Sequence, residues 1–327
     1  MSCILVTGGL GFIGSNFLNQ FVPKNKDAII VNIDSETYAS SKLSITNVVN
    51  YSNYKYYKID ISNYNDVKNL FNSYEFKNIL HFAAESHVDN SIEDPIVFAK
   101  TNVLGTLNLL ESFNSYKNLK NKLFYHISTD EVYGSTLNDS FSENSKYEPS
   151  SPYSASKAAS DHFAYAYHKT YGTPIIISNC SNNFGPWQYK EKLIPVVIKS
   201  IIENKPIPVY GNGSNVRDWI YIDDHISAIT FLMKNGIIGE SYCIASNNEL
   251  SNIDIIKKIC LVSDKILNKK SSSFNLVKYV KDRPGHDLRY SINSKKINSL
   301  GWNPSYNFDE SLEKTIQWYI DNSNWLK

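Results

Sequence analysis

The sequence predicts an α/β protein, a Rossmann-type doubly wound parallel sheet followed by a smaller, mixed C-terminal region. In the first half of the chain, short, continuously apolar, β-branched runs alternate with longer amphipathic stretches. That alternation is typical of a parallel sheet covered by helices on both faces. A glycine-rich turn at 8–14 joins the first run to the first amphipathic stretch. Beyond residue 180, prolines and glycines interrupt shorter elements, which predicts a second, less regular region.

The elements follow from these two periodicities. Six apolar runs are predicted as strands, at 4–7, 28–33, 56–59, 79–82, 124–128 and 174–179. Helical patterns lie between them, near 12–22, 64–74, 96–116 and 152–171. Four more follow in the second region, near 191–203, 223–235, 252–263 and 308–321. We therefore predict a sheet domain over 1–180 and a second region over 181–327, with some of its chain returning to the sheet.

Composition excludes several classes of partner. The 327 residues carry 33 Lys and Arg against 32 Asp and Glu, a formal net charge of +1, so no basic surface for nucleic acid is expected. The longest unbroken apolar run, 163–167, is far too short to span a bilayer. A strand-like stretch follows Met1 almost at once, so no signal peptide is expected. Four scattered cysteines form no Cys-x-x-Cys pair, which predicts no metal site and a reducing, cytoplasmic setting.

The glycine-rich turn has the pattern of a dinucleotide site. Gly9, Gly11 and Gly14 satisfy G-x-G-x-x-G between a predicted strand and a predicted helix. In this context a pyrophosphate rests on main-chain amides at the positive end of the helix. Asp34 ends the second strand twenty positions after Gly14, where a carboxylate can accept both ribose hydroxyls of an adenosine. Its charge would repel a 2′-phosphate and no Arg follows it, so NAD is favoured over NADP.

Two further strand ends are candidates for the same cofactor. Asp60 and Ile61 close the third strand and are placed to meet the adenine edge. The fourth strand ends in Phe82, Ala83 and Ala84, small enough at the alanines for a cofactor to lie across the sheet. Ordinary packing at strand ends explains both segments equally well when each is considered alone.

Candidate catalytic side chains follow the fifth strand and begin the fourth helix. Tyr153 and Lys157 share a helix face at i, i+4. A tyrosine with a pKa near 10 serves as a base at neutral pH only if positive charge stabilises its phenolate, and Lys157 and an oxidised nicotinamide are the available sources. Thr129, Asp130 and Glu131 can share a ligand only where the strand gives way to a loop, because neighbours in a strand point to opposite faces.

Taken together, these motifs resemble the extended short-chain dehydrogenase/reductase superfamily, and within it the nucleoside-diphosphate-glucose 4,6-dehydratases. The adjacent Thr-Asp-Glu distinguishes that family from sugar 4-epimerases of the same fold, which lack the acid pair. The resemblance runs over nearly the whole chain. Its other family-like segments lie at 81–89, 179–186, 191–195, 217–219 and 282–287.

The resemblance implies roles for specific residues. The implied catalytic set is Thr129, Asp130, Glu131, Tyr153 and Lys157. The implied NAD-binding set is Gly8, Gly11, Phe12, Ile13, Gly14, Asp34, Ser35, Thr37, Asp60, Ile61, Phe82, Ala83, Ala84, Ser86, Thr101, Tyr153, Lys157 and Asn183. The implied nucleotide-sugar set is Ser86, Thr129, Asn182, Lys192, Leu193, Pro208, Val209, Tyr210, Arg217, Asn252, Asp282, Arg283 and His286.

The family reaction assigns a task to each catalytic side chain. Tyr153 takes the proton of the glucose 4-hydroxyl, held by Thr129, as C4 is oxidised by NAD. Glu131 then removes the C5 proton, and a protonated Asp130 gives its proton to the departing 6-hydroxyl. Hydride returns to C6 and a proton returns to C5, leaving a 4-keto-6-deoxy sugar, a step of rhamnose-type deoxysugar biosynthesis. Two close carboxylates suit this task because their repulsion raises one pKa and so provides an acid beside a base.

Two alternatives remain open from the sequence. A sugar 4-epimerase or decarboxylase shares Tyr153, Lys157 and the cofactor, although the acid pair argues against it. A non-catalytic sensor of NAD or a sugar nucleotide keeps the same cavity without turnover. The sequence also leaves thymine and uracil nucleotides open as substrates. Apolar residues in the helices near 96–116 and 152–171 predict a homodimer, although Phe163, Tyr165 and Tyr167 would serve equally to cover the sheet.

Overall fold

The structure, a computed structural model, describes residues 2–327. Its strands, in chain order, are β1 (Ser2–Thr7), β2 (Ala28–Asp34), β3 (Tyr54–Lys58), β4 (Phe76–His81), β5 (Leu123–Thr129), β6 (Ile175–Cys180), β7 (Asn182–Phe184), β8 (Ile207–Tyr210), β9 (Val216–Tyr221), β10 (Ser241–Ile244), β11 (Glu249–Ser251) and β12 (Val277–Val280). They form one large sheet and two small ones.

The helices connect these strands and cover the large sheet. In chain order they are α1 (Phe12–Phe21), α2 (Tyr64–Ser73), α3 (Val88–Glu93), α4 (Pro95–Phe98), α5 (Thr106–Asn114), α6 (Pro152–Tyr171), α7 (Leu193–Glu203), α8 (Ile222–Asn235), α9 (Asn252–Ile266), α10 (Lys295–Ser299) and α11 (Phe308–Asp321). A π-helical segment, Ala99–Gly105, joins α4 to α5. Short 3₁₀ turns include Asp130–Tyr133 and Ser323–Leu326.

The large sheet has the predicted doubly wound topology. Its seven strands lie in the order β10-β6-β5-β4-β1-β2-β3, and each neighbouring pair is parallel. The chain leaves β1 toward β2 on one side, and β4 lies on the other, so the strand order reverses beside β1. Ligands bind at the carboxyl ends of the strands at such a reversal. The predicted fold class is confirmed.

Helices cover both faces because the strands are apolar on both. On one face Leu18 of α1 and Ile229 of α8 pack with Tyr125 of β5. On the other, Val67 of α2 and Phe113 of α5 pack with Phe124, the neighbour of Tyr125. Adjacent residues of one strand therefore belong to opposite cores, as the strand period of two requires. This double burial explains why the strand sequences are continuously apolar.

The second region has a core of its own. Three amphipathic helices, α7, α9 and α11, pack against β8 and β9, with Ile198, Ile256 and Ile316 buried among them. β9 lies between β7 and β11 in one small sheet, and β8 pairs with β12 in the other. One strand of this half, β10, leaves that core and pairs with β6 at the edge of the large sheet. The division at residue 180 stays a prediction.

Several predicted boundaries were wrong. The third and fourth strands begin earlier than predicted, at Tyr54 and Phe76. The run predicted as one α-helix over 96–116 changes to π-helical geometry at Ala99–Gly105. Within residues 2–327, no helix has both the length and the hydropathy to cross a membrane. Across the same residues, no cluster of three or more metal-ligating side chains is present.

Candidate active site

The turn between β1 and α1 brings main chain close to the end of β4. Gly8 has a φ of +71°, and a Cβ there would lie 2.6 Å from Cα of Ala83. A Cβ on Gly14 would collide with the carbonyl oxygen of Gly8. Only glycine fits either position, so the pattern in the sequence reflects two close approaches of the backbone.

The first turn of α1 forms an anion site. Its N-cap is Gly11, a residue that has no side chain with which to cap the helix. The amides of Phe12 and Ile13 lie in the first turn, where helix geometry gives them no intrahelical acceptor. Both residues line the same cavity as Gly8 and Asp34. A pyrophosphate placed there would accept hydrogen bonds from these amides. The positive end of the helix dipole would stabilise its negative charge.

Asp34 lies at the carboxyl end of β2 and is held from three directions. Its Oδ2 accepts from the Leu10 amide at 3.0 Å, and its Oδ1 accepts from the Glu36 amide at 2.9 Å and the Ser40 hydroxyl at 2.7 Å. A carboxylate has about four acceptor positions, so one remains for a sugar hydroxyl. Acceptance of both ribose hydroxyls, as the sequence predicts, requires the Ser40 hydroxyl to turn away.

Glu36, two residues after Asp34, forms ion pairs with two lysines. Its carboxylate lies 2.7 Å from Lys42 Nζ and 3.4 Å from Lys58 Nζ, and it accepts from the Tyr56 hydroxyl at 2.7 Å. Hydrogen bonds from Lys42 and Tyr56 lower the pKa of Glu36 to about 2. Neither lysine lines the cavity, so the Asp34 carboxylate is the feature that disfavours a 2′-phosphate.

One cavity runs from this turn to the end of β5. All of the residues that the sequence assigned to NAD line it, and they are Gly8, Gly11, Phe12, Ile13, Gly14, Asp34, Ser35, Thr37, Asp60, Ile61, Phe82, Ala83, Ala84, Ser86, Thr101, Tyr153, Lys157 and Asn183. Its far wall consists of the five predicted catalytic residues, Thr129, Asp130, Glu131, Tyr153 and Lys157. Glycines at one end and ionisable groups at the other fit a dinucleotide lying across the strand ends.

The end of β5 lets three adjacent side chains share this wall. β5 stops at Thr129, and a 3₁₀ turn begins at Asp130. The Thr129 hydroxyl accepts from the Glu131 amide at 3.3 Å and so caps that turn. It lies 3.2 Å from Asp130 Oδ1, to which it donates. The change from strand to 3₁₀ geometry cancels the alternation that would otherwise separate Asp130 from Glu131, as predicted.

The two carboxyls differ in their electrostatic surroundings. Burial raises the pKa of Asp130 well above its usual value, and the neighbouring Glu131 charge raises it further. Burial also raises the pKa of Glu131, but Arg217, Lys192 and Arg283 oppose that rise, in that order. The pKa of both carboxyls is therefore raised, and the three cations favour the charged form of Glu131. The division of the pair into an acid and a base stays a prediction.

Tyr153 and Lys157 are fixed by the start of α6. Ser151 and Ser154 form a reciprocal capping box around Pro152, so the first turn is rigid. The Lys157 ammonium donates to the carbonyl oxygen of Ile127 at 2.8 Å. Burial, and then the Glu131 charge, raises the pKa of the Tyr153 phenol well above its usual value. Lys157 does not by itself reverse this rise, so the phenol stays protonated until further positive charge reaches the site.

Cations of the second region face the carboxylates. Lys192, at the N-cap of α7, lines the cavity and donates to the carbonyl oxygen of Ser86 at 2.9 Å. Arg217 on β9 donates to the carbonyl oxygen of Asp287 at 3.0 Å, and its guanidinium lies 4.1 Å from the centroid of the Tyr290 ring. Arg283 lies 3.5 Å from Asp89. A diphosphate between these three groups would meet donors from two directions.

The predicted nucleotide-sugar residues divide into two groups. Four of them, Ser86, Thr129, Asn182 and Lys192, line the cavity. Nine lie outside its wall: Leu193, Pro208, Val209, Tyr210, Arg217, Asn252, Asp282, Arg283 and His286. Pairing of β8 with β12 nonetheless brings Tyr210 beside the 282–286 segment, with its ring 6.3 Å from that of His286. Val209 is 2% exposed and belongs to the core, so it offers almost no surface to a ligand.

Sequence reasoning missed several residues that shape the cavity. Glu85, Tyr189 and Glu191 line it. The Tyr38 hydroxyl donates to Glu191 at 3.2 Å, so the loop after β2 meets the loop before α7 beside the opening. Buried Asn102 holds the main chain of Glu85 with both amide atoms, at 2.8 and 3.0 Å. An Asn on the buried face of an apolar helix was the available signal.

A cluster of three tryptophans supports the loop before α7. Trp187, which has a φ of +69°, packs against Trp318 and Trp325 with ring centroids 4.7 and 5.2 Å away. The next residue, Gln188, accepts at its carbonyl oxygen from Trp325 Nε1 at 3.0 Å and from the Tyr319 hydroxyl at 2.9 Å. The last helical elements of the chain therefore fix one wall of the cavity.

Comparison with known proteins agrees with this geometry. Residues 5–315 match the family model described as GDP-mannose 4,6 dehydratase. A probable dTDP-glucose 4,6-dehydratase of Sinorhizobium fredii is 47% identical, over 98% of this chain and 94% of the relative. The dTDP-glucose 4,6-dehydratase of Bacillus anthracis, solved in complex with NAD, is 40% identical, with a TM-score of 0.89 over 100% of both chains. The dTDP-glucose 4,6-dehydratase of Streptomyces venezuelae, solved with NAD bound, is 38% identical, with a TM-score of 0.91 over 99% of both chains. The chain therefore belongs to the nucleoside-diphosphate-sugar 4,6-dehydratases of the extended short-chain dehydrogenase/reductase superfamily.

Proposed function

We propose that this chain is a dTDP-glucose 4,6-dehydratase that uses NAD and forms dTDP-4-keto-6-deoxyglucose. The observation that carries the proposal is the wall made by Thr129, Asp130, Glu131 and Tyr153 at one end of a dinucleotide cavity. An acid, a base and a phenol around one space are what oxidation at C4 followed by elimination across C5 and C6 requires. When bound, NAD accepts hydride from C4 and returns it to C6, while a proton returns to C5.

Tyr153 and Thr129 act on the 4-hydroxyl. Hydrogen bonding to the Thr129 hydroxyl lowers the pKa of Tyr153, against the larger effects of burial and of Glu131. Tyr153 takes the hydroxyl proton once positive charge from the oxidised nicotinamide and Lys157 stabilises its phenolate. The buried position of Tyr153 excludes water from this transfer.

Asp130 and Glu131 carry out the elimination. The 4-ketone acidifies the C5 hydrogen, and Glu131 removes it as a carboxylate. Burial raises the pKa of Glu131, and the charges of Arg217, Lys192 and Arg283 oppose that rise. Asp130 is protonated and gives its proton to the 6-hydroxyl, which leaves as water. General acid and general base catalysis each contribute about 10²- to 10⁴-fold in such sites.

The base of the substrate nucleotide is thymine in this proposal. The relatives and solved structures described above carry the name dTDP-glucose 4,6-dehydratase, which favours thymidine over uridine. The test is mass spectrometry of products after parallel incubation with dTDP-glucose and UDP-glucose, each with NAD. Loss of one water without net reduction of NAD, faster with dTDP-glucose, is expected. A faster reaction with UDP-glucose would overturn the choice of base.

The same experiment tests the competing functions. An unchanged mass with a galactose product would identify a 4-epimerase, a function that the adjacent acids Asp130 and Glu131 do not favour. Loss of carbon dioxide from a sugar acid would identify a decarboxylase. Tight, stoichiometric NAD binding with no product from either nucleotide would identify a sensor.

We also propose that two copies associate through α4, α6 and the π-helical segment. These elements pack side by side and expose Ile96, Leu104, Phe163 and Tyr165 by 38% or more, whereas Tyr167 is buried and covers the sheet. Light scattering should give twice the chain mass. Leu104→Glu should halve that mass, and Leu261→Glu on α9, whose leucine is also exposed, should not. A monomeric wild type would refute the proposal.

A cytoplasmic location is the remaining proposal. All four cysteines are buried and free, which suits a reducing compartment. Fractionation of the source cells with an antibody to this chain should place it with cytoplasmic markers. Recovery with exported proteins would contradict the proposal.

A further inference from the structure

Asp161 is a buried carboxylate that the reaction above does not use. It lies on α6 four residues after Lys157 and eight after Tyr153, so the three side chains share one face of the helix. Its side chain is 2% exposed. A charge so deeply buried is costly unless it is paired and hydrogen-bonded, which raises the question of what holds it there.

Four side chains from three segments converge on this carboxylate. Oδ2 accepts from Ser128 Oγ on β5 at 2.8 Å, the Tyr147 hydroxyl at 2.9 Å and Asn179 Nδ2 on β6 at 3.1 Å. His126 Nε2 on β5 lies 3.0 Å from Oδ1. Burial alone raises the pKa of Asp161, but the adjacent His126, the Lys157 charge and the Ser128 hydrogen bond outweigh it, so the pKa is lowered. Asp161 is ionised.

Lys157 is a buried cation on the same face of α6 as Asp161. Its ammonium is buried, and burial lowers its pKa. The largest opposing influence is the Asp161 charge, one helical turn away. The other titratable groups facing Asp161 are His126 on β5, whose pKa burial lowers, and Tyr147 and Tyr133, whose pKa values burial raises. All three are therefore uncharged at neutral pH, and Lys157 is the one cation among these neighbours.

We propose that Asp161 is a positioning residue for the oxidation step, whose fixed negative charge keeps Lys157 protonated beside Tyr153. Ser128, Tyr147 and Asn179 hold the carboxylate in place, and α6 sets its distance from Lys157. The charge therefore acts through Lys157, without contact with substrate or cofactor. The catalytic part of this inference rests on the proposed function, whereas the protonation of Lys157 does not.

The substitution that isolates the charge is Asp161→Asn, which keeps the size of the side chain. Without the charge the pKa of Lys157 falls, so Lys157 loses its proton at a lower pH. The pKa of Tyr153 then rises, because the Lys157 cation no longer stabilises its phenolate. The acid limb of the kcat profile should move to higher pH and the alkaline limb to lower pH, each by about one unit. At neutral pH kcat should fall about tenfold or more, with KM for dTDP-glucose changed less than about threefold.

A matched control separates charge from packing. Tyr147→Phe removes one neutral donor to the same carboxylate and leaves the charge, so both limbs of the profile should keep their midpoints. Asp161→Glu restores the charge and should restore the midpoints even if kcat stays low. An Asp161→Asn enzyme with wild-type midpoints would overturn the proposal, as would equal shifts in Tyr147→Phe.

The protonation of Lys157 can also be measured without turnover. Nuclear magnetic resonance of lysine labelled at Cε, with Lys157→Met assigning the signal, reports the protonation of Lys157 directly. The wild type should show a charged Lys157 at pH 7, and Asp161→Asn should titrate at least about one unit lower. A neutral Lys157 in the wild type at pH 7 would refute the proposal even if Asp161→Asn does not fold. Inactivity of the wild type toward every sugar nucleotide would instead refute the proposed function and leave this titration valid.

Discussion

At the scale of single residues, the site depends on the different surroundings of two adjacent carboxyls. Burial and the Glu131 charge raise the pKa of Asp130, whereas three cations oppose the rise that burial causes in the pKa of Glu131. Two variants of nearly unchanged shape can therefore separate two chemical steps, because each removes one ionisable group and leaves its neighbour.

Glu131→Gln should stop exchange of the C5 hydrogen with solvent, because an amide does not act as the base. We expect product formation to fall about 10²- to 10⁴-fold, with NAD affinity retained. The measurement is deuterium uptake at C5 from heavy water, followed by mass spectrometry. Asp130→Asn is the matched variant and should keep C5 exchange while water loss slows. Full exchange in Glu131→Gln would remove Glu131 from this role.

The sequence identifies the site residues that lie close to one another in the chain. Thr129, Asp130 and Glu131 are adjacent, and Tyr153 and Lys157 share one helical turn, so local motifs reveal them. Asn102 and Glu191 have no local pattern, because their partners Glu85 and Tyr38 are far away in the chain.

At the scale of elements, the turn between β1 and α1 depends on close contacts between its main-chain atoms and their neighbours. Gly14→Ala should push α1 away from Gly8, because the added Cβ collides with a main-chain oxygen. We expect at least about tenfold weaker NAD binding, since the amides of the first turn would be displaced. Titration calorimetry with NAD measures it.

Gly172→Ala is the control for that change. Gly172 ends α6 with a φ of +67°, and a Cβ there meets no heavy atom within 4 Å. The cost is about 1 kcal/mol of stability from the left-handed conformation, seen as a lower Tm with unchanged NAD affinity. Equal loss of NAD binding in both variants would show that the effect of Gly14→Ala is general destabilisation.

Element type was easier to predict than element geometry. The run over 96–116 keeps a helical apolar pattern, so the sequence predicts a helix throughout. The π-helical segment Ala99–Gly105 places Thr101 on the cavity and Asn102 against Ser156 of α6, at 2.8 Å. A short π-helical segment is set by tertiary contacts and leaves little local signal in the sequence. Such segments are frequent at functional sites.

The loop before α7 gives a second prediction at this scale. Trp325→Phe removes the donor to the Gln188 carbonyl oxygen but keeps an aromatic ring. Because Tyr319 still donates to that oxygen, the loss should be about 1 kcal/mol. We expect KM for NAD or sugar nucleotide to rise severalfold with kcat little changed. Trp318→Phe, which keeps that hydrogen bond, is the control, and unchanged KM in Trp325→Phe would contradict the prediction.

At the scale of the whole molecule, buried neutral histidines set the acid stability. Burial lowers the pKa of His225 from 6.5 to about 3, and burial also lowers the pKa of His81 and His126. Below pH 6.5 the unfolded chain binds protons that the folded chain does not, so stability falls as pH falls from about 6.5 toward 3. His225 alone should account for about 2 kcal/mol between pH 7 and pH 5.

His225→Asn tests this sign. An Asn amide can replace the bond of His225 Nδ1 to Asn183, which is 2.8 Å long, but it does not titrate. Urea unfolding at pH 7.5 and pH 5 should show a smaller loss of stability on acidification than in the wild type. His162→Asn on the exposed face of α6 should keep the wild-type difference. An equal loss in wild type and His225→Asn would contradict the prediction.

The sequence predicted the order of strands and helices over the first half because each strand is buried on both faces and so is apolar throughout. The second half was less predictable. Its strands are short, β7 and β11 having three residues each, and their pairing depends on distant segments. β10 is the clearest case, since nothing local to Ser241–Ile244 indicates that it pairs with β6.

The tryptophan cluster described above gives the molecule an intrinsic optical reporter. Trp187, Trp318 and Trp325 lie together behind Gln188 and Tyr189 of the cavity wall. Reduced nicotinamide absorbs in the wavelength range in which tryptophan emits, so energy transfer quenches that emission whenever the cofactor carries the hydride. Turnover of a single substrate should therefore appear as a transient dip and recovery of fluorescence in stopped flow. The lifetime of the oxidised sugar could be timed without any label.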